Sequence, residues 1–90
     1  MSEANEDPVV RELRQQIATN DLVLLEALNR RLELVRELKR HKDSHGLEFV
    51  DPEQERRLLD RLAEANQGPL SEEAVREIYG MLLELTKREV

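Results

Sequence analysis

Residues 10–42 read VRELRQQIATNDLVLLEALNRRLELVRELKRHK. Taken at alternating steps of four and three, they give Val10, Arg14, Ile17, Asp21, Leu24, Leu28, Arg31, Val35, Leu38 and Lys42. This is the a/d spacing that keeps one face of a helix turned toward a partner. Arg14, Asp21, Arg31 and Lys42 in that seam are ionisable, and a buried charge is costly unless something neutralises it. Singly, each has a plain reading: Arg14 or Asp21 sets register in a coiled coil, and Arg31 or Lys42 snorkels its head to water. Three cations and one anion together on one periodic face instead point to a bound anion.

Outward from this stretch, Asp7-Pro8 is a helix start, with Asp as N-cap and Pro at the first helical position. No Pro or Gly follows until Gly46, so the predicted helix runs about 34 residues, about 50 Å at 1.5 Å per residue. Residues 1–6 are polar and acidic and are expected to form a disordered tail ahead of a domain over 7–90. The remainder of the chain is too short to cover the apolar surface of so long a helix, which includes a second line at Leu25 and Leu32. Dimerisation is the economical solution: two long helices along the seam, each covered by the partner's shorter ones.

Asp43 to Val50 reads as a loop, with Gly46 suited to the left-handed residue that ends a helix. Asp51-Pro52 repeats the opening signal, and Gln54 can close a capping box with Asp51. Leu58, Leu59, Leu62 and Ala65 give a second helix its apolar face, ending near Asn66. A Gln67-Gly68-Pro69 turn follows. Ser71 caps a third helix whose face is Val75, Ile78, Leu82 and Leu85; Gly80 within it suggests a close helix crossing, since glycine otherwise costs a helix about 1 kcal/mol. The fold class is all-α: one long N-terminal helix and two shorter ones, forming an intertwined helical homodimer.

Composition narrows the function. The net charge of −6 argues against nucleic acid, whose phosphates need a basic surface. Phe49 and Tyr79 are the only aromatic residues and cysteine is absent, which removes thiolate catalysis and Cys-based metal sites. No signal peptide and no membrane-spanning apolar run appear, so the expected location is the cytoplasm. His41 and His45 straddle a helix end without a third ligand and read as solvent-exposed, not as a metal site. The run Arg36, Lys39, Arg40 reads as a solvated face, with Lys39 adding positive potential to a pocket mouth.

The segments LRQQIATND, LLEALNRRLELV and HKDSHGLEFVDPEQE, in that order and spacing, resemble the all-helical (AroQ-class) chorismate mutases, over roughly Pro8 to Arg88. The resemblance implies the Claisen rearrangement of chorismate to prephenate in phenylalanine and tyrosine biosynthesis. It also implies a homodimer with two shared sites and no cofactor or metal. Chorismate carries two carboxylates, so the dianion that the resemblance implies agrees with the excess of cations in the seam. By position, Arg14 resembles the arginine given by the neighbouring subunit, Arg31 the carboxylate-binding arginine of the same subunit, and Lys42 the lysine at the ether oxygen. Asp51 and Glu55 match acidic positions near the substrate, with Glu55 and the Asp51 backbone the partners of its ring hydroxyl. Thr86 falls where the family often has a serine near a carboxylate. Plain readings stand beside these: Asp51 as an N-cap, Glu55 as a first-turn carboxylate and Thr86 as packing.

Two positions depart from the family's pattern. Gln54 stands where an arginine is usual, so the site loses a cation. Val90 stands where a glutamine or glutamate usually hydrogen-bonds the ether oxygen; Glu89 can substitute if the last turn shifts by one, or the contact comes from elsewhere. Losing one transition-state donor can cost on the order of 10²-fold in rate. The expectation is real but low activity in isolation. Some family members gain activity by docking onto the first enzyme of the shikimate pathway, which is the implied partner here. Two other functions fit the same residues: an isochorismate-pyruvate lyase with the same fold, and a non-catalytic helical dimer that binds a partner or senses a metabolite.

Overall fold

The computed structural model describes residues 7–90; the tail expected at 1–6 lies outside the described residues. The chain is all-helical: α1 (Pro8–Ser44), α2 (Pro52–Ala65) and α3 (Glu72–Glu89), with no strand among the described residues. It divides into two compact units, one ending at Glu33 and the other Leu34–Val90. The first holds the N-terminal part of α1; the second holds the end of α1 with α2 and α3.

The helix limits follow from local chemistry. Asp7 caps α1: its Oδ1 accepts from the N–H groups of Val9 at 2.8 Å and Val10 at 3.1 Å, two of the donors a helix start leaves without partners. At the other end Gly46 takes φ +65°. The Leu47 N–H reaches the Lys42 carbonyl at 2.8 Å and the Gly46 N–H the Asp43 carbonyl at 3.4 Å, the paired bonds of a Schellman termination. Asp51 caps α2 by accepting from the Gln54 N–H at 3.2 Å. That is the Asp51 half of the expected capping box. Ser71 caps α3 through the Ala74 N–H at 3.0 Å. Between α2 and α3, Asn66 ties the turn with both ends of its amide: Oδ1 accepts from Gly68 N–H at 3.1 Å, and Nδ2 donates to the Leu70 carbonyl at 2.7 Å.

In the second unit α2 and α3 pack against each other. Glu55 at the start of α2 meets Lys87 at the end of α3 at 3.0 Å, and Asp60 meets Arg76 near the start of α3 at 3.1 Å. The two helices are therefore antiparallel. Leu58, Leu59 and Leu62 are half-buried as expected, while Ala65 is exposed.

Two expectations for α3 need correction. Its inward stripe is Val75, Tyr79, Leu82 and Thr86, whereas Ile78 and Leu85 stay exposed at 40% each. The helix carries apolar residues on two faces, and a polar-ended pair, Tyr79 and Thr86, shares the inward one with Val75 and Leu82. Gly80 does not mark a crossing within the chain, because a Cβ there would meet nothing within 4 Å. It belongs instead to an open apolar groove on α3 with Ile78, Met81 and Leu85. Among the described residues Val75 is the only buried hydrophobic one, and α1 contributes none.

Candidate active site

The residues singled out from the sequence fall in both units. In the first, Arg14 is exposed and Arg31 half-buried on α1. The second holds Lys42, Asp51, Gln54, Glu55 and Thr86.

Lys42 occupies the last turn of α1, where the negative end of the helix dipole favours an ammonium. It is half-buried, and its Nζ donates to the Phe49 carbonyl at 3.2 Å. The same residue accepts the Schellman bond through its own carbonyl. Main chain and side chain thus fasten the α1–α2 loop from one position, and the ammonium is held by a neutral acceptor. Two of its three N–H groups stay available to a ligand.

At the start of α2, Asp51 caps Gln54 through its carboxylate and accepts from the Glu55 N–H through its carbonyl at 3.0 Å. Both its acceptor groups therefore serve the helix. Gln54 is exposed and Glu55 half-buried. Glu55 is held by Lys87, whose Nζ also reaches Glu84 at 3.2 Å. Hydrogen bonds to Glu55 first and Glu84 second hold the Lys87 ammonium above the ordinary lysine value.

Nothing in the sequence singles out Lys87. It pairs with a residue on another helix, and no local spacing announces that.

Thr86 is buried, and its Oγ1 donates to the Leu82 carbonyl at 2.7 Å. A hydroxyl has one proton to give, so serving a carboxylate requires the Thr86 hydroxyl to rotate away from Leu82.

The run expected as a solvated face is exposed at Arg36 and Arg40 and half-buried at Lys39, and two of its cations reach the end of α3. Arg36 Nη2 donates to the Glu89 carbonyl at 3.4 Å, and Lys39 Nζ to the Val90 carbonyl at 3.1 Å. The last carbonyls of a helix have no partner within it, and these cations supply one for the end of α3. Lys39 also lies over the Phe49 ring, 5.9 Å from its centroid, within cation–π range. His41 and His45 stack at 4.1 Å, with His45 Nδ1 2.9 Å from the His41 carbonyl, contacts that belong to the helix end.

The second unit thus holds two local groupings, Lys39 and Lys42 about Phe49, and Lys87 with Glu55 at the start of the helix that Asp51 caps. Fixed ammonium groups beside a carboxylate can bind an anion and orient a hydroxyl without any proton changing hands.

No curated protein matches the chain. Two forms of chorismate mutase from Thermus thermophilus have closely similar structures. Form I is 27% identical with a TM-score of 0.84, and the match covers 86% of this chain and 96% of that one. Form II is 26% identical with a TM-score of 0.85, covering 88% and 90%. The family model for chorismate mutase type II matches residues 13–89, a span that contains every candidate site residue and stops one short of Val90. With that match over most of its length, the chain belongs to the chorismate mutase type II family.

Proposed function

We propose that this chain converts chorismate to prephenate as a homodimer, each site drawing on both copies. The observation that carries the reading is the Lys42 ammonium, held by the Phe49 carbonyl at 3.2 Å inside the segment that the family model matches. The reaction is unimolecular: an ether C–O bond breaks as a C–C bond forms, and nothing leaves. The protein has to hold the substrate in a chair-like conformation and place positive charge where the ether oxygen becomes electron-rich.

In this reading Arg31 grips one carboxylate of the substrate, and planar guanidinium suits that task. Arg14 of the partner subunit completes the clamp. Lys42 turns its remaining N–H groups to the ether oxygen and a carboxylate. Glu55, steadied by Lys87 at 3.0 Å, takes the ring hydroxyl with the Asp51 backbone. Gln54 and Thr86 line the same region as neutral groups. Val90 offers no side-chain donor, so the isolated enzyme is slow, and docking onto a second enzyme of the pathway is the proposed route to full rate. The cytoplasm is the proposed location; among the described residues no helix is long and apolar enough to cross a membrane.

The apolar surface supports the dimer. Ile17 and Leu24 of the predicted seam are 60% and 53% exposed, and Met81 in the α3 groove 62%. A 90-residue chain with one buried hydrophobic residue among those described lacks the core that stabilises a domain of its size. A second copy supplies what it lacks.

The test is direct. Purified protein is given chorismate and, separately, isochorismate. Prephenate from the first is the expected product. Salicylate plus pyruvate from the second would reassign the chain as a lyase, and no turnover of either at high protein concentration would leave only a non-catalytic dimer.

A further inference from the structure

Phe49 is gripped from two directions by lysines one helical turn apart on α1. Lys42 donates to its carbonyl at 3.2 Å, and the Lys39 ammonium lies 5.9 Å from its ring centroid. The Lys39 Nζ is itself fixed by a 3.1 Å bond to the Val90 carbonyl, and Arg36 makes the neighbouring bond to Glu89 at 3.4 Å. The end of α3, the last turns of α1 and the α1–α2 loop therefore meet at one half-buried lysine side chain.

Its two contacts are of different kinds. The hydrogen bond to Val90 needs a donor at a set distance, while the ring contact needs a full positive charge facing the π-system. The contact with Phe49 has a consequence one bond away. The loop that carries Phe49 is otherwise exposed from Asp43 to Glu48, so the ring contact helps decide where its carbonyl stands. That carbonyl is the acceptor of the Lys42 ammonium.

We propose that Lys39 is a positioning residue for Lys42: by bonding Val90 and facing the Phe49 ring at once, it sets the carbonyl that aims the Lys42 ammonium. The proposal rests on the reading of Lys42 as the charge at the ether oxygen. It gives the end of α3 a way to influence the site through a backbone carbonyl, although the Val90 side chain has no donor. A misaimed ammonium still attracts an anion, so the effect falls on the rate of the bound substrate more than on its binding.

The experiment combines kinetics with a probe that needs no substrate. Phe49 is the only phenylalanine, so fluorophenylalanine incorporation gives one ¹⁹F signal, and the Lys42 side-chain signal is followed by NMR in the same variants. Lys39→Met keeps the stem and removes the charge. It is expected to move both signals and lower kcat about tenfold, with KM within about twofold. Lys39→Arg, which keeps charge and donor, is expected to restore most of the rate. Phe49→Leu removes the ring but keeps the carbonyl; it should lower kcat similarly and add little to Lys39→Met in the double variant. That variant decides the matter if Lys39→Met does not fold.

Unmoved signals in Lys39→Met, or moved signals with unchanged kcat, would overturn the proposal, as would full additivity of the two substitutions. If the unsubstituted protein does not turn over chorismate, the proposed function fails by itself, and the Lys42 signal alone then decides whether Lys39 positions it.

Discussion

At the scale of single residues, Lys42 combines two duties that a substitution can separate. Its ammonium makes one hydrogen bond to the Phe49 carbonyl, and a hydrogen bond from a charged group contributes about 1.5–3 kcal/mol to stability. In its proposed role, as the charge beside a breaking C–O bond, it would contribute more to rate, on the order of 10²- to 10³-fold for a preorganised group of this kind. Lys42→Ala is therefore expected to lower kcat by at least about 10²-fold, while the stability measured in urea falls by no more than the loss of one such bond, about 1.5–3 kcal/mol, and the protein stays folded. A near-normal rate would show that the electrophilic group lies elsewhere. Lys87 makes a different prediction. Its bonds to Glu55 and Glu84 raise its pKa above the ordinary 10.5, so its protonated form is favoured by folding. The stability it confers is complete below about pH 10.5 and is lost as pH rises through the raised value. The difference in urea midpoint between the unsubstituted protein and Lys87→Met should hold from about pH 7 to about pH 10 and close above that; a constant difference would mean that only packing was lost. Lys42 was legible in the sequence because a cation in an apolar seam violates the pattern around it. Lys87 was not, because it sits among charged neighbours at the end of α3 and its partner Glu55 is on another helix.

At the scale of elements, the helix limits were legible for a physical reason: each is set by one or two residues with strong local preferences. Asp7, Asp51 and Ser71 each satisfy backbone donors at the start of the helix that follows. Gly46 ends α1 at φ +65°, a conformation that costs a residue with a Cβ roughly 1–2 kcal/mol. Since nothing lies within 4 Å of a Cβ built there, Gly46→Ala should lose stability by about that backbone cost, roughly 1 kcal/mol, with no steric addition. Asn at the same position should lose less, because it tolerates left-handed backbone better. Equal losses in equilibrium unfolding would point to a clash instead. What α3 packs against was less legible. Val75 and Leu82 belong to both an i, i+3 and an i, i+4 series, so periodicity fits either Ile78 and Leu85 or Tyr79 and Thr86 beside them. Only the partner helix decides, and α2 takes the second set.

At the scale of the whole molecule, the exposed apolar residues of α1 and α3 support the proposed dimer. Arg14 and Arg31 belong to the first unit and Lys42 and Glu55 to the second. In the proposed dimer, Arg14 of the partner subunit serves the site that holds Lys42. A two-fold dimer with shared sites makes a quantitative prediction that a self-contained chain does not. Arg14→Ala and Lys42→Ala homodimers each carry the same defect in both sites, so both should be nearly inactive. When the two are unfolded together and refolded in equal amounts, random pairing puts half of the dimers in the mixed form. Each mixed dimer has one site with both groups intact and one with both missing. About a quarter of all sites are then complete, and activity should rise from near zero to about a quarter of that of the unsubstituted protein. Sites contained within single chains would leave the mixture as inactive as its components, because no chain in it carries both Arg14 and Lys42. Mass spectrometry of the refolded mixture counts the mixed dimers, so the recovered rate can be divided by the number of complete sites that produce it.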